Sequence, residues 1–337
     1  MKLLRAHGHE VTVFWDDGWR GGARVDFTTV RDYDCIIMFQ CICAATCRYF
    51  AEEHPNVVFV PMLDQFGIFS GPHDNLQPLL SRFFRCKILS FSKAVHAIAI
   101  SSGIMSRYVQ YYPNPATQVD SQGLRGFFWL RHEEHVSWPL VRKLMGNTAF
   151  SSLHIHLACD PGAPPPVMPT EEETRKYHIT VSRWFDKKID FLRIMEQANV
   201  FFAPRLEEGI GQSFLEAMSR GQCVIAADCG TMNEYIVHGV NGLLYAHDNP
   251  QPLDFSLVPE LCAAAYAGAR AGYDRWIACR ENIAQFVVTP ASYFYPAMPM
   301  DTPFSKIRKR IRNSVPVKGT ERLWLPLWCK GKSLLEK

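Results

Sequence analysis

The stretch from Val200 to Tyr245 limits the choice of fold more than any other part of the chain. Val200-Phe201-Phe202-Ala203 is a short apolar run closed by Pro204, the pattern of a strand buried on both faces. A loop with two glycines follows, Arg205 to Gly211. Ser213 then opens an amphipathic helix that turns Phe214, Leu215 and Met218 inward and ends at Gly221. Cys223 to Ala227 is a second apolar strand, Asp228-Cys229-Gly230 a turn, and Thr231 to Val237 a further helix closed by His238-Gly239. This alternation predicts a parallel sheet with ligands at the carboxyl edge of its strands.

Two carboxylates mark that edge, Glu208 in the loop and Glu216 in the helix, with seven residues between them. The loop keeps them off one helix face; it folds Glu208 over the crevice while Glu216 looks in from the helix start. Gly209, Ile210, Gly211, Gln212 and Ser213 lie at a helix N-terminus, where free N–H donors and the dipole favour a phosphate. Glycine lets a bulky anion approach the backbone. A carboxylate beside that anion can accept both hydrogen bonds of a ribose diol. The stretch therefore predicts a nucleotide-diphosphate site with a second carboxylate beyond the phosphates. Taken alone, Glu216 also fits a surface acid held near a helix start by the dipole.

The run Glu208-Gly209-Ile210-Gly211-Gln212-Ser213-Phe214-Leu215-Glu216-Ala217-Met218, followed by Gly221 and Val224-Ile225-Ala226, resembles the Glu-x7-Glu signature of retaining GT-B glycosyltransferases. More narrowly it resembles family four, the group 1 glycosyl transferases, and Glu234 with Gly239-Val240-Asn241-Gly242-Leu243-Leu244 matches that family's next segment. The resemblance implies an α/β chain of two Rossmann-like domains whose parallel sheets face each other across a cleft. It places an acceptor domain at 1–115, a nucleotide-sugar domain at 116–268, a helix crossing back at 269–290 and a tail at 291–337. Leu4-Arg5-Ala6-His7-Gly8-His9-Glu10-Val11 resembles the end of the family's first helix and its second strand. The first strand and glycine-rich turn that precede these in relatives have no counterpart here, which implies an incomplete first domain with an open sheet edge.

The 337 residues have room for two domains, and 47% hydrophobic content indicates a folded chain. A net charge of +3 gives no argument for nucleic acid. Eleven scattered cysteines in a chain of this size point to a reducing cytosol. Neither a signal peptide nor a bilayer-length apolar run is expected. Cys41, Cys43 and Cys47 lack the spacing of a zinc site and read as small buried residues at a turn.

Further strands are expected at Glu10–Trp15, Cys35–Phe39, Val57–Val60, Ala97–Ile100, Phe127–Leu130, Leu153–Ala158 and Ile179–Val181. Helices are expected at Leu76–His96, Gly103–Gln110, Phe185–Ala198, Pro259–Ala269 and Tyr273–Val288. In many relatives His-Asp or His-Glu follows the strand that corresponds to Val57–Val60 and contacts the donor sugar; this chain has Leu63-Asp64, so Asp64 is a sugar ligand or a plain strand-end turn. Arg131 matches the family's diphosphate Arg, while the Lys expected about five residues later is replaced by His135-Val136. Arg205 is a candidate to supply that charge. Lys306, Arg308, Lys309, Arg310 and Arg312, with Trp324 and Trp328, suit an anionic membrane surface or a solvated tail alike.

The resemblance thus implies sugar transfer with retention, from a nucleotide sugar to a lipid-linked or saccharide hydroxyl acceptor, in polysaccharide, lipopolysaccharide or glycolipid synthesis. It implies a cytoplasmic protein with a peripheral membrane contact, no nucleic-acid partner and no cofactor or metal. Glu208 is the catalytic candidate; Glu216, Arg131, Gly209, Ile210, Gly211, Gln212, Ser213 and Asp64 are donor-binding candidates. The alternative is a non-catalytic relative that only binds a nucleotide sugar. A nicotinamide enzyme is disfavoured, because Gly209-x-Gly211 lacks a third glycine and lies late in the chain.

Overall fold

A computed structural model describes residues 1–17, 22–40, 54–64, 86–159 and 163–294. The chain divides into two compact units, Met1–Ala291 and Ser292–Lys337. The expected cysteine turn, residues 76–85 of the expected helix at Leu76–His96 and the basic tail lie outside the described residues.

The first unit holds two parallel sheets. The four-stranded one is ordered β1 (Ile36–Phe39), β2 (Val57–Val60), β3 (Lys87–Ser90), β4 (Met105–Tyr108). The six-stranded one contains β5 (Arg125–Leu130), β6 (Ser152–Leu157), β7 (Ile179–Ser182), β8 (Val200–Phe202), β9 (Cys223–Ala227) and β10 (Gly242–Tyr245), in the spatial order β10-β9-β8-β5-β6-β7. The chain runs outward from β5 through β6 to β7, then returns to the other side of β5 with β8 and continues to β10. The strand order therefore reverses between β5 and β8, and the loops after these strands open a crevice there.

Alternation along the strands builds two cores. Phe128, Leu130, Val200, Phe202 and Ile225 face one way, packing with Val141, Leu144 and Met145 of α3 (Trp138–Met145). Phe127, Phe201 and Val224 face the other, packing with Met195 of α5 (Lys188–Met195) and with Phe214, Leu215 and Met218 of α6 (Gln212–Met218). The Phe127 and Phe201 rings stack at 5.6 Å across neighbouring strands.

The smaller elements include helices α1 (Lys2–Ala6), α2 (Lys93–Ser101) and α4 (Glu171–Lys176). The expectation for 87–110 is reversed. Lys87–Ser90 is a strand, 93–101 is helical and Met105–Tyr108 is a strand. Val95 and Ala99, four apart, are the buried residues of α2, so the helical period outweighs the apolar look of Ala97–Ile100. Among the described residues Glu10–Trp15 pairs with no strand, and Val13, Phe14 and Trp15 are exposed. The expected helix from Thr231 to Val237 shrinks to a single 3-10 turn, Met232–Glu234.

The two expected C-terminal helices are one, α7 (Val258–Val288), of 31 residues and so about 46 Å long. Gly272 lets it continue: a Cβ there would lie 2.4 Å from the Tyr112 ring, so the helix needs glycine to lie against the connecting segment. Its N-terminal half packs with the six-stranded sheet through Val258, Leu261 and Cys262. Its C-terminal end reaches the four-stranded sheet, where Lys87 Nζ donates to the carbonyls of Phe286 (2.6 Å), Val287 (2.8 Å) and Thr289 (2.5 Å). Asn56 Nδ2 donates to Val287 O and Val288 O at 3.1 and 3.0 Å. A long helix leaves its last carbonyls without intrahelical donors, and a cation is the favoured partner at that end. Among the described residues no helix is long and apolar enough to cross a membrane.

Candidate functional site

The crevice at the strand reversal is lined by residues 131–136 after β5 and 203–211 after β8. Arg131 directly follows β5, and its guanidinium lies 5.3 Å over the Trp129 ring. From the other side, Arg205 Nη1 donates to Asp64 Oδ2 at 2.7 Å, and Nη2 donates to His132 Nε2 at 3.3 Å. Arginine has no acceptor, so His132 Nε2 must accept and Nδ1 carries the proton toward Glu134 Oε1 at 3.2 Å. The His132 and His135 rings stack at 5.1 Å.

Asp64 comes from the facing sheet, just beyond β2. Its Oδ1 is buried with no hydrogen-bond partner among the described residues. The glycine loop explains how the sheets come so close. A Cβ on Gly209 would meet Met62 Cβ at 2.7 Å and Asp64 Oδ1 at 2.9 Å, so only glycine fits where the loop crosses the β2 end.

Glu208 lies among these charges. Its backbone oxygen accepts from Thr231 Oγ1 at 2.5 Å. Burial pushes its carboxyl up to about 7, and the neighbouring Asp64 adds to that, while Arg205 and Arg131 pull the other way. A carboxyl near neutrality between two guanidinium groups changes protonation within the working pH range.

Gly211 begins α6 in the left-handed region, φ +76, and the Phe214 ring folds back over it, 1.9 Å from where a Cβ would stand. Gln212 is exposed and Ile210 and Ser213 half-buried on the same turn. Glu216, on α6, pairs with Lys188 Nζ at 2.5 Å. Lys188 opens α5, which follows the carboxyl end of β7, so this pair stands on the same edge of the sheet as the glycine loop. The charges around Glu208 are Arg205, Asp64 and Arg131; that paired with Glu216 is Lys188. The candidates thus fall into one cluster of Asp64, Arg131, Arg205 and Glu208, and a separate pair, Glu216 with Lys188.

Glu234 has a role that sequence reasoning missed. Its Oε1 accepts from the Lys93 backbone N–H at 2.7 Å and from Ser92 Oγ at 3.2 Å, and its Oε2 from the Tyr108 hydroxyl at 2.8 Å. A residue following the six-stranded sheet's β9 therefore caps helix α2 beside the four-stranded sheet. Nothing local to Glu234 signals this, because its partners lie more than a hundred residues away. His132 and Lys188 were missed as well: their partners Arg205 and Glu216 lie on other loops and helices of the sheet, beyond the reach of local pattern.

Among the described residues no group of three His, Cys, Asp or Glu side chains is placed to hold a metal ion.

Residues 138–256 match the family model described as Glycosyl transferases group 1. No curated protein matches the chain. Among solved structures it is similar to the Anabaena HepE protein in complex with UDP and glucose, with a TM-score of 0.56 and 16% identity over 77% of this chain and 79% of that one. It is similar to the lipopolysaccharide outer core galactosyltransferase WaaB in its apo form, with a TM-score of 0.51 and 15% identity over 77% of each chain. Sucrose-phosphate synthase from Thermosynechococcus elongatus gives 0.53 and 14% over 75% of this chain and 73% of that one. At such identities the likeness establishes the fold, which is GT-B.

Proposed function

We propose that this chain, which carries a Glycosyl transferases group 1 domain over residues 138–256 on a GT-B fold, moves a sugar from a nucleoside-diphosphate donor to a hydroxyl acceptor with retention at the anomeric carbon. The observation that carries the reading is the convergence of Arg131, Arg205, Glu208 and Asp64 at the strand reversal, beside a glycine loop that opens a helix.

In this reading the donor lies at the carboxyl edge of the six-stranded sheet. Gly209, Ile210, Gly211, Gln212 and Ser213 bring backbone N–H groups to the diphosphate, and Arg131 adds a permanent cation. Fixed donors aimed at the charge that grows on the leaving group lower the barrier without reorganising during the reaction. Glu216 exchanges its contact with Lys188 for the ribose diol. Glu208, in its ionised form, meets the sugar hydroxyls and the positive charge that develops at the ring. The departing phosphate takes the acceptor's proton, and the cations and helix start do the work a metal would otherwise do. The acceptor is a lipid-linked or free saccharide, and the basic tail supplies a peripheral contact with anionic lipid.

The test is nucleotide release from a panel of nucleotide sugars with saccharide acceptors. UDP-sugars head the panel because solved structures of the Anabaena HepE protein hold UDP and UDP-glucose. Glu216→Ala should weaken donor binding about tenfold, the loss of a bidentate hydrogen-bonding partner. Glu208→Ala should lower kcat about a hundredfold with a smaller change in KM. If both variants keep wild-type affinity and rate, the assignment of the site is wrong. Donor binding without transfer to any acceptor would place the chain among the non-catalytic relatives.

A further inference from the structure

The loop after β5 supplies one permanent cation, Arg131, followed by His132, Glu133, Glu134 and His135. Each further fixed cation aimed at a leaving diphosphate stabilises the charge that grows on it. Arg205 stands on the opposite wall of the crevice, in the loop after β8. Its side chain is only 17% exposed and is held at two points, by Asp64 Oδ2 at 2.7 Å and His132 Nε2 at 3.3 Å. Through His132, Arg205 meets the residue next to Arg131, so the loops after β5 and β8 each bring a guanidinium to this end of the sheet.

We propose that Arg205 is the second cationic ligand of the donor diphosphate, and that Asp64, reaching across from the four-stranded sheet, is a positioning residue that aims it. This rests on the nucleotide-sugar reading above and deepens it. A guanidinium presents its donors in a planar fork that matches phosphate oxygens, and prior fixing of the fork lowers the entropy lost on binding. Asp64 is then an anchor rather than a sugar-hydroxyl ligand. Because Asp64 and Arg205 belong to different sheets, the cation is aimed only while the two sheets stand as close as the Gly209–Met62 contact holds them.

The experiment is titration of the full chain with UDP, UMP and uridine by calorimetry, with GDP and ADP run alongside. Arg205→Ala should weaken UDP about thirtyfold or more, UMP by less than fivefold and uridine not at all. Arg205→Lys, which keeps the charge and loses the fork, should lose about a tenth as much. Asp64→Asn should weaken UDP five- to tenfold with uridine unchanged. Equal losses for UDP and uridine, or UDP affinity unchanged in Arg205→Ala, overturn the proposal while leaving the nucleotide reading standing. If Arg205→Ala does not fold, Arg205→Lys with no UDP-selective loss overturns it equally. A wild-type protein that binds none of the three diphosphates removes both.

Discussion

Glu208 has a measurable signature independent of any substrate. Its carboxyl is raised to about 7 in the folded chain, chiefly by burial, against an ordinary value of 4.5. Between those values the folded state holds a proton that the unfolded chain releases, so this group lowers stability as pH rises from about 4.5 to 7. The sign is opposite to that of a salt-bridged acid. Glu208→Gln should therefore leave the unfolding free energy unchanged near pH 4.5 and raise it by about 2–3 kcal/mol at pH 8. Urea titrations at the two pH values read this difference; a gain of equal size at both would mean that the carboxyl is not pushed up. The same substitution removes an ionisable group from the crevice, so the stabilised variant should also be the slower one.

At the scale of elements, α7 shows how a long helix ties distant parts of a chain. Its last turn ends against Lys87, a lysine fully buried in β3 and so placed where an unpaired charge would be costly. Three backbone carbonyls and the negative helix end compensate it. Lys87→Met keeps the volume and deletes the donors. It should destabilise the chain by about 2–3 kcal/mol, the range for hydrogen bonds to a charged group, as read from the denaturation midpoint at unchanged slope. A neutral result would show that Asn56 alone satisfies the helix end.

Across the whole first unit, two carboxylates on opposite sides of the crevice join the sheets. Asp64 reaches from the four-stranded sheet to Arg205, and Glu234 reaches back to Ser92, Lys93 and Tyr108. Glu234 touches none of the donor-binding candidates. Glu234→Gln should still weaken donor binding several-fold, because the closed arrangement becomes less populated and apparent affinity falls with that population. Small-angle scattering should show a larger radius of gyration for the variant without ligand. An unchanged radius and affinity would mean that the Gly209–Met62 packing alone holds the sheets together.

The order of elements from Val200 to Ala227, the parallel sheet and the helix opening at the glycine loop were legible in the sequence, because short buried strands and glycine breaks are set by local pattern. So was the position of Arg131 and Glu208 in the loops that follow β5 and β8. The segment from Lys87 to Tyr108 was not legible, since the burial of Lys87 depends on carbonyls two hundred residues away. Nor was the division of the charged residues into a Glu208 cluster and a Glu216–Lys188 pair, or the use of Asp64 and Glu234 to join the sheets. Local periodicity dictates which residues lie at an edge. Which charge meets which is decided only when both sheets are in place, because ion pairs and caps act over a few ångströms between groups that the chain itself keeps far apart.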